Sequence, residues 1–175
     1  MRIILVFAAL VVTTATAFCQ TPYSGMQTRP IKALSEQQVA DLQAGRGIGL
    51  ALAAELNGYP GPSHVLELAD KLGLTAEQRR QVEALFASMK QEALPLGGRL
   101  IEQEAELDRQ FSARTITPQS LKSATAAIAA TQGELRETHL KYHLSTVAML
   151  SESQRQQYSV LRGYGHGGQK QHHHN

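Results

Sequence analysis

The chain has 175 residues, 42% of them hydrophobic and 5% aromatic, with no tryptophan and a formal net charge of +2. That length suits one domain with unstructured ends. The small net charge, with no basic run, gives nucleic acid no electrostatic footprint. One cysteine, Cys19, excludes a disulfide framework within the chain.

The N-terminus has the pattern of a cleaved export signal over residues 1–19. Met1-Arg2 supplies a short positive region, Ile3 to Val12 an apolar core, and Ala15-Thr16-Ala17 a small-x-small cleavage site. Cleavage after Ala17 and cleavage after Cys19 both satisfy the pattern. The apolar stretch is too short to remain as a stable membrane anchor. Lipid attachment at Cys19 requires a small preceding residue, and Phe18 opposes it. If Cys19 leaves with the leader, the mature protein has neither disulfide nor thiolate metal ligand. Losing Arg2 takes the formal charge from +2 to +1.

Residues 20–33, rich in Thr, Pro, Ser, Gly and Gln, read as a disordered lead. A first helix is expected from Ser35 to about Leu56, stopped by Asn57-Gly58-Tyr59-Pro60-Gly61-Pro62. Ser63 is placed to cap a short helix ending near Leu72-Gly73. Thr75 then opens a long helix whose apolar residues, from Val82 through Met89, Leu96 and Leu100 to Phe111, recur at three- and four-residue spacing. Pro95 removes one backbone donor inside it and predicts a bend. Thr117-Pro118, cap followed by proline, opens the next helix through Met149. A last short helix follows Ser151 and closes near Arg162-Gly163, and no period-two run reads as a strand.

The expected fold is therefore all-α: an elongated antiparallel hairpin of about four to five helices over residues 34–163, turning near 113–117. A helix from Thr75 to Phe111 is roughly 55 Å long. Two such helices bury little surface alone, and the core is chiefly leucine and alanine, so a homodimer is expected to complete it. Residues 164–175 form a Gly/His-rich tail expected to be flexible.

Two short runs have the form Leu-[Ser/Thr]-x-x-Gln: Leu74-Thr75-Ala76-Glu77-Gln78 and Leu150-Ser151-Glu152-Ser153-Gln154. In each, the hydroxyl can cap a helix and the glutamine can reach back to the cap N–H. Leu34-Ser35-Glu36-Gln37-Gln38 is a looser copy. Two such boxes in a small, helical, exported chain resemble the family of periplasmic proteins carrying an LTxxQ motif. That family includes the Spy and CpxP chaperone-like stress proteins and the metal-responsive ZraP and CnrX. The resemblance covers roughly Leu34 to Tyr164, with Ser151 replacing threonine in the second copy. The runs Ala44-Gly45-Arg46-Gly47, Glu55 through Pro62, and His139 to His143 place the chain nearest the heavy-metal sensor and resistance branch. The resemblance implies a hooked hairpin that dimerises into a curved cradle in the periplasm. It implies binding of unfolded envelope proteins, of divalent metal, or of both, without catalysis. It also implies a membrane-bound regulator as partner if the protein is a sensor.

His139 and His143 are four apart and project from one helix face, a spacing that can give two nitrogens to Zn²⁺, Ni²⁺, Co²⁺ or Cu²⁺. Further ligands must come from elsewhere, with His64, Glu67, Met149 or a second copy as candidates. The alternative is that the two histidines are hydrogen-bonded polar residues within the hairpin. His166, His172, His173 and His174 in the tail can chelate metal with modest affinity, because ordering a flexible tether opposes binding. No metal or other cofactor is required by anything else in the sequence. Met89, Leu96 and Leu100 are candidate client contacts, or else ordinary hairpin core.

Other chemistries are excluded on the same grounds. Gly45-Arg46-Gly47-Ile48-Gly49 has neither a preceding strand nor a following Lys-[Ser/Thr], so it is not a phosphate loop. A c-type haem needs Cys-x-x-Cys-His, and a di-iron bundle needs Glu-x-x-His on two helices. The acidic run Glu102, Glu104, Glu106, Asp108 reads as a solvated face near Arg99 and Arg109. No nucleophile–base arrangement is legible, so no enzyme is expected.

Overall fold

A computed structural model describes residues 23–164. The export leader, Cys19 and the tail histidines His166, His172, His173 and His174 lie outside the described residues. The described chain is all-helical, with a 3-10 turn at Met26–Thr28, six α-helices and no strand. None of these helices is long and apolar enough to cross a membrane.

Helix α1 (Glu36–Gln43) begins at a reciprocal capping box. Ser35 Oγ accepts from the Gln38 N–H at 3.1 Å, and Gln38 Oε1 accepts from the Ser35 N–H at 2.9 Å. It ends thirteen residues sooner than the expected Ser35–Leu56 helix, at Gln43 rather than Leu56. Gly45 takes φ 69°, its N–H reaches Leu42 O at 3.1 Å, and the Arg46 N–H reaches Asp41 O at 2.8 Å. This 5→2 and 6→1 pair satisfies the last carbonyls and turns the chain away. Only a short α2 (Leu52–Glu55) remains of the expected continuation. Near the end of the 20–33 lead, Ile31 packs into the core beside Leu34.

Helix α3 (Pro62–Glu67) starts on Pro62 at its first turn with Gly61 as N-cap. Ser63 is thus inside the helix and does not cap it, because proline fixes the first helical φ one residue earlier. The long helices are α4 (Ala76–Ser112) and α5 (Pro118–Met149), followed by α6 (Glu152–Leu161). Thr75 and Ser151 each form the full box with Gln78 and Gln154, and Thr117 forms one with Ser120.

Helices α4 and α5 make the expected antiparallel hairpin. Its register is fixed by Glu92, which accepts from Tyr142 Oη at 2.8 Å and pairs with Lys141, and by Arg99 with Glu134. Helix α1 crosses α4 at Gly97, where a Cβ would stand 2.6 Å from Leu42 O. That close approach lets Leu42, Ala93, Leu100, Ile128 and Leu135 form one apolar cluster. A second cluster of Val65, Leu72, Val82, Leu150 and Tyr158 gathers where α3 and α6 meet the hairpin base. Phe111, last in the apolar series of α4, lies exposed near the hairpin tip, beyond the reach of either cluster.

Candidate functional site

Between the two apolar clusters the hairpin interior turns polar. His139, Tyr142, His143 and Thr146 are buried along α5, and Glu55 at the end of α2 is buried beside them. The 44–64 segment covers this layer and leaves a cleft of about 580 Å³. His64, Glu67, His139 and His143, four of the metal-ligand candidates, all line it, together with Glu55 and Met89. Tertiary folding therefore joins residues that the sequence separates by up to 79 positions, from His64 to His143.

Each imidazole is positioned by a glycine. Gly47 packs on His139 so closely that a Cβ would lie 3.1 Å from Nδ1. At Gly61 a Cβ would lie 2.7 Å from His143 Nε2. His143 Nδ1 is 2.6 Å from Tyr59 O, which can only accept, so this nitrogen carries the proton and Nε2 the lone pair. His139 is 3% exposed and its Nε2 has no hydrogen-bond partner. Burial, with a smaller contribution from the neighbouring His143 imidazole, lowers its pKa.

Glu55 is the anchor that sequence reading missed. Its carboxylate accepts from Tyr158 Oη at 2.5 Å and from the Gly61 N–H at 3.3 Å. His64 Nδ1 stands 3.4 Å away, Arg162 Nε 3.6 Å and His143 Nδ1 3.9 Å. Burial alone would push this carboxyl up. Hydrogen bonds from His64 and Tyr158, the His64 charge and the Gly61 N–H outweigh it and hold the pKa at about 2. Tyr158 is driven in the opposite direction, up, by burial and by the same carboxylate. The available signal was a lone carboxylate inside the apolar run Ile48–Leu56.

Other candidates fall elsewhere. Met149 packs against the second apolar cluster, away from the histidines, because it ends α5 beside Leu150. Met89 and Leu100, at 6% and 2% exposure, are interior and offer no surface to a client. Leu96 is half-buried against the first cluster. Leu74, Thr75, Gln78, Leu150, Ser151 and Gln154 are structural, starting α4 and α6. The acidic run is split among partners: Asp108 pairs with Lys32 and Glu106 with Arg109, while burial raises the pKa of Glu104.

A family model described as heavy-metal resistance matches residues 47–157, which span the hairpin and most of the cleft lining. The chain belongs to the heavy-metal resistance family. No curated protein and no solved structure matches it. For a heavy-metal resistance protein the donor set is then the point to test. The unpartnered His139 Nε2 and the glycine-lined faces of both rings suit a ligand. Yet among the described residues no group of three or more His, Cys, Asp or Glu is placed to hold a metal ion. His64 Nδ1 is turned to Glu55, and the donors of the cleft do not compose a ready tetrahedral centre.

Proposed function

We propose that the protein is an exported, non-catalytic metal-binding protein of heavy-metal resistance. In this reading it takes up metal ions in the cleft between the 44–64 segment and α5. The observation carrying this reading is His139, a buried neutral imidazole whose Nε2 has no partner in a cleft shared with His143, His64 and Glu67. An unpaired buried nitrogen costs stability, and a ligand that occupies it accounts for its being kept. His139 and His143 hold the ion. The more exposed His64 and Glu67 rotate in from the rim, which makes capture reversible. The leader pattern supports a periplasmic location for this activity, and the slender hairpin favours a homodimer. A sensor role would add a membrane-bound regulator as partner.

The test is calorimetry with Zn²⁺, Ni²⁺, Co²⁺ and Cu²⁺ on the full chain with His166, His172, His173 and His174 changed to Asn. His139→Ala in that background should weaken binding by about tenfold or more. Equal affinities with and without His139 would refute the cleft as the metal site.

A second reading is the holding of unfolded envelope proteins. Leu52 on α2, Leu56 at its C-cap and Tyr59 just beyond are exposed, and these would be the client contacts in place of Met89, Leu96 and Leu100. Leu56→Ser/Tyr59→Ser, outside the cleft lining, should then lose suppression of client aggregation while keeping its metal affinity.

A further inference from the structure

No three His, Cys, Asp or Glu side chains among the described residues are grouped to hold a metal, but the cleft lining also includes a thioether. Met89 is almost wholly buried, yet it belongs to neither apolar cluster. It lines the cleft with His139 and His143 instead. The register that sets Glu92 against Lys141 and Tyr142 places Met89, about one turn earlier on α4, level with the turn of α5 that follows His143. Gly61 packs over the His143 ring beside Nε2, where any side chain would crowd the imidazole. His139 Nε2 is unpartnered.

We propose that this cleft selects a soft monovalent ion, Cu⁺ or Ag⁺, held by the Met89 thioether with the His139 and His143 imidazoles; this rests on the cleft being the metal site. The argument is one of donor chemistry. A tetrahedral Zn²⁺ site asks for four donors, most often thiolate, imidazole or carboxylate, and the described residues do not bring three of these together. Thioether sulfur is a soft donor that favours Cu⁺ over the harder divalent ions. A closed-shell monovalent ion is satisfied by about two or three donors, so a methionine and two imidazoles suffice. Neutral ligands also suit a single positive charge in a buried layer, where a dication would need compensating carboxylates. The Glu55 carboxylate is already committed to Tyr158 and Gly61.

Silver tests this without a reductant. The full chain with the four tail histidines changed to Asn is titrated with Ag⁺ in chloride-free buffer and, separately, with Zn²⁺. Met89→Leu conserves volume, and its fold is checked by circular dichroism and thermal melting. It should weaken Ag⁺ by about tenfold or more and leave Zn²⁺ within about twofold. X-ray absorption of the silver complex should show a sulfur neighbour that Met89→Leu removes. Unchanged Ag⁺ affinity, equal loss of both ions, or a shell of nitrogen and oxygen alone would overturn the assignment. His139→Ala separates the two levels. If it binds both ions as well as its parent, the cleft is not the metal site and both proposals fall. If it loses Ag⁺ while Met89→Leu does not, only the sulfur assignment falls.

Discussion

Gln78 and Gln154 bond to each other through both ends of their amides. Gln78 Nε2 donates to Gln154 Oε1 at 2.9 Å, and Gln154 Nε2 donates back to Gln78 Oε1 at 3.0 Å. Each oxygen also accepts the N–H of its own helix cap, Thr75 at 3.1 Å and Ser151 at 2.9 Å. Each amide nitrogen reaches the carbonyl two residues before the other's cap, Met149 at 2.8 Å and Gly73 at 3.5 Å. The motif therefore occurs twice because the two copies are halves of one nearly two-fold lock between α4 and α6.

The lock explains why the last motif position is glutamine. Glutamate at N3 is an equally good capping residue and favours the helix N-terminus electrostatically. It has no proton to donate across the pair, however. Gln154→Glu should therefore destabilise the fold by about 1–3 kcal/mol, the cost of leaving partly buried partners unmet. Urea unfolding measures this; a neutral or stabilising outcome would show that the glutamine pair does not hold the two helices together. Gln78→Ala and Gln154→Ala should lose less together than the sum of the single losses, since they share bonds.

Two adjacent glycines in α4 should respond in opposite ways to alanine. A Cβ at Gly97 would meet Leu42 O at 2.6 Å, so Gly97→Ala must push α1 off the hairpin, at a cost of about 1–3 kcal/mol. Gly98 has nothing within 4 Å, and Gly98→Ala should stabilise by about 0.5–1 kcal/mol through helix propensity. Thermal melts of the two variants should move in opposite directions.

Glu55 sets an acid limit. Its folded pKa of about 2 lies below the ordinary 4.5, so the folded state binds its proton less readily than the unfolded chain does. The resulting stability, on the order of 3 kcal/mol, is fully present above about pH 5 and disappears as pH falls toward 2. Glu55→Gln should lower stability at neutral pH and flatten the pH dependence between 5 and 2. Equally steep acid unfolding in the variant would assign that limit to other carboxylates.

Gly61→Ala probes the cleft wall. The His143 ring cannot retreat easily, because Nδ1 is tied to Tyr59 O. The added Cβ, 2.7 Å from Nε2, should cost about 1–3 kcal/mol and shift the His143 ring resonances in NMR spectra. A stable variant with unaltered His143 resonances would mean that the loop moves away freely.

Much of the hairpin was legible because its signals are local. Thr75, Thr117 and Ser151 stand where a hydroxyl must cap a helix, and apolar spacing along α4 marked its inward face. The first helix was read too long because Gly45 is tolerable within a periodic pattern. Only its left-handed φ, with Arg46 bonded back to Asp41 O, reveals a terminator. Ser63 lost the capping role to Pro62, a competition that one residue of register decides. Met89 and Leu100 were open to two readings because periodicity shows which face is apolar and leaves open what covers it.

Sequence alone determined what the nearest few residues can settle: an all-helical chain, the starts of its long helices, an antiparallel turn and a face carrying His139 and His143. Capping, propensity and spacing act over a turn or two, so they are written in order along the chain. Only the tertiary structure decided that α1 stops at Gly45, that Glu55 lies buried among partners from three segments, and that Met89 joins the histidines while Met149 does not. Those outcomes depend on hairpin register and on two glycines, Gly47 and Gly61, that let distant backbone approach an imidazole ring. Contacts across such sequence distances leave no periodic trace.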